Sequence, residues 1–149
     1  MARSASVPDE RRVHRHAVVL LVGTVDRRLL PALRFVARLP RADVRALHVS
    51  VDADQARRLA ADWMRLGLTW IPLDIQDATN ESLAEAVGRV VEGRAAGTGD
   101  MTVVVPELEP TQWWHRLLHR GSARQIVRRL GAVPRVTIVV VPFAADGRR

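Results

Sequence analysis

The chain has neither cysteine nor lysine among its 149 residues. Lack of cysteine excludes disulfides, a thiolate nucleophile and sulfur-ligated metals, and it fits a cytoplasmic compartment. No apolar run approaches the roughly 20 residues that cross a bilayer; the longest, at 17–22, gives way at once to Gly23-Thr24 and then to charges. The first 16 residues are polar and basic and lack the apolar stretch of a signal peptide, so export is not indicated. Catalytic fingerprints are scarce too. There is no G-x-G-x-x-G, no lysine-containing P-loop, no H-E-x-x-H and no Ser/His/Asp set. Glu107 and Glu109 would point to opposite sides of a continued strand and stand just before Pro110, so they make no acid/base pair. His115 and His119 are four apart, with no Glu between them and no third ligand in view, so no metal or other cofactor is expected. The chain does not read as an enzyme.

What remains is enough for one globular domain, with 48% hydrophobic residues. Residues 17–22 read as a buried parallel strand, and Leu29, Leu30, Leu33, Val36 and Ala37 form the apolar face of a helix over 27–39, stopped by Pro40. A second strand is predicted at 44–51. Asp52 or Asp54 then caps a helix that ends at Gly67. Residues 68–75 alternate like a third strand, Asn80 or Thr79 opens a helix from Glu81 to about Arg94, and 101–105 and 136–141 are strands. The last helix starts at Gly121-Ser122 and runs to Leu130. Such alternation predicts an α/β fold, an open five-stranded parallel sheet with helices on both faces and right-handed crossovers. Residues 1–16 read as a flexible linker, 17–143 as the domain and 144–149 as a tail.

The net charge of +7 is carried entirely by arginine on the basic side, the habit of a GC-rich genome, so placement says more than the total. From Gln112 to Arg135 there are six arginines and no acid, which marks a candidate anion site. At its centre lies Gly121-Ser122-Ala123-Arg124-Gln125, with the S-x-x-Q spacing of a capping box. A plain helix cap accounts for that spacing. So does a phosphate cradle, because helix-start N–H groups are unpaired, glycine lets a ligand approach the backbone, and Arg120 and Arg124 flank the same point. Arg128 and Arg129 suit a solvated cationic face near the helix C-terminus. Trp113-Trp114 with Leu117-Leu118 serves either as a packed lid or as a base-stacking surface. His48, inside the second strand, reads as a satisfied interior or sheet-end residue.

Gly23-Thr24 after strand one, Ala46-Leu47-His48-Val49 in strand two, Gly121-Ser122 at a helix start and the Val-rich final strand together resemble the universal stress protein family. Nucleotide-binding members carry a longer glycine-rich loop after strand four. Here residues 106–110 are Pro-Glu-Leu-Glu-Pro, and the family's adenine-contacting Asp after strand one has only Asp26 as a stand-in. Val103-Val104-Val105-Pro106-Glu107, Trp114, Leu117-Leu118-His119 and Val140-Val141-Pro142-Phe143 are similar, more closely, to the soluble C-terminal domain of bacterial potassium transporters of the amino acid-polyamine-cation superfamily. Where that group often has Asn after the His, this chain has Arg120. The resemblance implies a regulatory domain that senses cyclic di-AMP, placed at the inner face of the membrane and fused to or bound by a transporter. On that reading Arg120, Gly121, Ser122 and Arg124 hold phosphate, Gly23, Thr24, Val49, Ser50 and Pro106 shape the base pocket, and His119 is a further ligand-binding residue. ATP or AMP binding, a ligand-free module that homodimerises through the last strand, and, more remotely, nucleic-acid binding are the alternatives.

Overall fold

The computed structural model describes residues 16–78, 80–106 and 122–142. Strand β1 (His16–Leu21) leads through a 3-10 turn (Arg27–Leu29) into α1 (Leu30–Ala37); β2 (Ala42–Ser50), α2 (Ala53–Arg65), a second 3-10 turn (Leu68–Trp70), β3 (Leu73–Asp77), α3 (Leu83–Thr98), β4 (Met101–Pro106), α4 (Ser122–Gly131) and β5 (Val136–Val141) follow. All pairings are parallel, in the order β3-β2-β1-β4-β5. The predicted open five-stranded α/β sheet is therefore present.

Two apolar layers cover the sheet, and the side-chain period of two decides which residue enters which. Val19, Leu21, Leu47, Val49, Met101, Val103 and Val105 pack with α3 and α4 on one face. Val18, Leu20, Val22, Ala46 and Val104 pack with α1 and α2 on the other. The central strands are buried on both sides, which is why their sequences are unbroken apolar runs. At the edge, β5 is half-buried except at Thr137 and Val140, which are exposed, Val140 by 48%. No described helix is long and apolar enough to cross a membrane.

Several boundaries differ from those predicted. The third strand pairs only from Leu73 to Asp77, not from 68. Gly67, at φ 69°, ends α2 in the left-handed conformation that glycine adopts without cost. The chain then coils so that Ile71 N–H donates to Leu68 O at 3.0 Å, and buried Trp63 donates Nε1–H to Ile71 O at 3.0 Å. Pro72 has no N–H to offer the sheet, though its carbonyl accepts from Ala46 at 2.8 Å. The apolar alternation over 68–71 thus belongs to a packed turn.

Helix α3 is not capped by Asn80, and Thr79 lies outside the described residues. Ser82, in extended backbone, accepts Glu85 N–H at 3.3 Å, and the helix runs beyond Arg94 to Thr98 before Gly99, at φ 84°, stops it. Helix α1 is shorter than 27–39 because its first turn is 3-10, with Pro31 within the first turn of the α-helix proper. Asp52, rather than Asp54, caps α2. His16, expected in the linker, opens β1, and its Nε2 lies 2.6 Å from Thr102 Oγ1 on β4.

Candidate functional site

After β1 the chain winds outward to β2 and β3, with α1 and α2 over one face; it then crosses the other face through α3 to reach β4 on β1's far side. Where the winding reverses, neighbouring strand ends lead their loops apart and leave a crevice at the carboxyl edge of the sheet. A cleft lies there, about 630 Å³ with its mouth included. Its walls come from both layers: Leu21 and Val22 at the end of β1, Leu47 to Val49 on β2, Pro106 at the end of β4, Leu83 and Val87 on α3, and Ile126 on α4. The lining is mainly apolar, as suits the flat body of a base or another largely apolar group.

Gly23, Thr24, Val49 and Pro106 all line this cleft. Ser50 does not: it is buried at the end of β2, and its hydroxyl donates to Asp52 O at 2.9 Å in the turn into α2. Ser122 and Arg124 lie in the first turn of α4, as described from Ser122 onward. His119, Arg120 and Gly121, like Trp113, Trp114 and His115, lie outside the described residues. Asp26 also borders the cleft, but its carboxylate is occupied locally. One oxygen accepts Arg28 N–H at 2.8 Å and the other the Thr24 hydroxyl at 3.2 Å, so it caps the 3-10 turn.

His48, expected as a satisfied interior or sheet-end residue, is buried near the end of β2 but only half satisfied among the described residues. It is 2% exposed and forms part of the cleft wall, and Nδ1 lies 2.8 Å from Val22 O. Nε2 is buried with no hydrogen-bond partner among the described residues. Burial holds its pKa below the ordinary value of 6.5, although the Val22 carbonyl pulls the other way. The signal available in sequence was the polar residue inside an otherwise apolar strand end; which ring nitrogen would be left unpaired depends on the position of Val22 O, twenty-six residues away.

Arg129 also corrects an expectation. It is not part of a solvated face: its guanidinium crosses to α3, where Nε is 3.3 Å from Glu85 Oε2 and Nη2 is 3.0 Å from Glu92 Oε2. The side chain lies across Gly88, where an added Cβ would be 2.6 Å from Arg129 Cγ and 2.7 Å from Nε and Cζ. Glu85, Gly88 and Glu92 recur at helical spacing on one face of α3, forming a slot with acidic ends. Arg128 is exposed as expected. The arginine segment is thus less cationic in space than in sequence, and α4, whose start borders the candidate phosphate position, is tied to α3.

A parallel sheet wound both ways from its first strand, with an apolar cleft over the reversal, defines a Rossmann-like α/β domain. Within that class, the chain belongs to the family of the KimA potassium transporter C-terminal domain, whose model matches residues 12–143. No curated protein matches the chain. The expected kinship with potassium-transporter C-terminal domains is borne out.

Proposed function

We propose that this domain is a non-enzymatic sensor that binds an adenine nucleotide, cyclic di-AMP, in the cleft at the sheet's carboxyl edge and passes its occupancy to a potassium transporter at the inner face of the membrane. The observation that carries this reading is the joint lining of one apolar cleft by Gly23, Thr24, Val49 and Pro106. These residues come from three strand ends, and their places in the sequence point to a base pocket. Membership of a potassium-transporter domain family supplies the output. The phosphate end is assigned to Arg120, Gly121, Ser122 and Arg124, with His119 as a further ligand-binding residue, because a helix start with flanking guanidinium groups offers backbone donors and charge together. A universal stress protein-like ancestry agrees with the strand order and the placement of the cleft.

The exposed edge strand β5 favours a companion reading, a homodimer through that strand, which would offer paired sites to a two-fold-symmetric ligand. Calorimetric titration with cyclic di-AMP, ATP and AMP tests the proposal. Saturable binding that is tightest for cyclic di-AMP is expected. Preference for ATP or AMP would make the domain an ordinary nucleotide-binding relative, and absence of binding across the panel would leave the dimerisation module.

A further inference from the structure

Acids match the arginines of some helices and not of others. On α2, Arg57 pairs with Asp54 and Arg65 with Asp62; on α3, Arg89 pairs with Glu81 and Arg94 with Asp74; on α4, Arg129 spans Glu85 and Glu92. The stretch from Arg27 to Ala42, which holds α1, has five arginines and no acid. None of those five is in an ion pair among the described residues. Leu29, Ala32, Leu33 and Val36 are buried in the core, which turns the other side of the helix outward. Leu30, Arg34, Ala37 and Arg38 recur there at helical spacing and are all exposed, Leu30 by 46%. Arg27, in the preceding 3-10 turn, and Arg41, in the turn that follows, are exposed as well.

We infer that this outer face of α1 is a docking surface for a bilayer containing anionic lipid. Charge complementarity selects the occupant: a row of guanidinium groups without acids gains with each anionic headgroup it meets, and guanidinium matches phosphate in a two-pronged fit. Leu30 and Ala37 stand among the cations as apolar contacts for the boundary beneath the headgroups. Membership of a potassium-transporter domain family puts a membrane within reach of the domain. Since the apolar side of α1 is committed to the core, the helix cannot roll it into the lipid. The contact is therefore peripheral and electrostatic, and it weakens with salt. It does not depend on whether the cleft binds nucleotide.

The test is co-sedimentation of the full chain with vesicles of phosphatidylcholine alone and of phosphatidylcholine mixed with phosphatidylglycerol. The wild type should partition onto the mixed vesicles, leave the neutral ones in solution, and be released as salt rises. The double variant Arg34→Gln/Arg38→Gln, which keeps good helix formers at exposed positions, should lower the partition coefficient by about thirtyfold, the scale for two cations at an anionic surface. Arg57→Gln/Arg58→Gln removes the same charge from α2 and should bind like the wild type. In wild-type protein on anionic bicelles, a spin-labelled headgroup should broaden the amides of Leu30, Arg34 and Arg38 before those of α2, a readout that needs no variant. Equal binding to neutral vesicles, no binding to either kind, equal losses in the two double variants, or broadening centred away from α1 would overturn the inference. So would tighter binding to duplex RNA than to the mixed vesicles at the same salt, which would assign the stripe to nucleic acid.

Discussion

His48 links the stability of the fold to pH. Its pKa in the folded chain is below the ordinary 6.5, so below about that pH the unfolded chain takes up a proton that the folded chain resists. More protons on the unfolded state mean that stability rises with pH. This contribution is therefore whole above about 6.5 and lost as pH falls through the lowered folded value. Thermal melts across that window should show the loss in the wild type, and the slope should flatten in His48→Phe; identical slopes would show that His48 is not the group responsible. At the phosphate end, replacing Arg124 with Ala should weaken cyclic di-AMP binding by about 1.5–3 kcal/mol, the range for hydrogen bonds to charged groups. Unchanged affinity in calorimetry would remove Arg124 from the site.

Among the elements, the α3–α4 pair sets the attitude of the helix that leads to the proposed phosphate position. The slot over Gly88 makes a prediction whose sign depends on its occupant. Alanine is the better helix former, so in an Arg129→Ala background Gly88→Ala should stabilise the domain by about 0.5–1 kcal/mol. With Arg129 in place the same substitution should destabilise it, since the new Cβ enters space held by the Arg129 side chain between Glu85 and Glu92. Denaturant titrations of the four variants give both signs, and a stabilising effect in both backgrounds would show that the slot is loose.

Legibility in the sequence followed local physics. The strand runs of β1, β4 and β5, the Asp52 cap and the Gly67 stop were readable because each rests on neighbours in the chain. The start of β3 was not, because Trp63 and Ala46 determine where residues 68–72 pack. That Gly23, Thr24, Val49 and Pro106 share one cleft could be inferred from strand ends, since parallel strands bring their carboxyl ends to one edge. Ser50 was misplaced because its hydroxyl serves the turn to Asp52, and the Arg129 slot went unseen because its acids come from another helix.

For the whole molecule, the sheet order leaves β3 and β5 as edges, and β5 is the longer and more β-branched of the two. An edge of that kind is a template for pairing. Light scattering over a dilution series should give a dimer mass, and Ile138→Lys should return a monomer if β5 forms the centre of the contact. A monomer at high micromolar concentration, with and without nucleotide, would end the dimer proposal. The cleft's role in cyclic di-AMP binding is tested most directly by following the backbone amides of the full chain by NMR as that ligand is added. Saturable shifts centred on Gly23, Thr24 and Val49 are predicted, with Val140 at the far edge moving only if ligand and dimerisation are coupled. Amides that do not move, or shifts centred away from the carboxyl edge of the sheet, would contradict it.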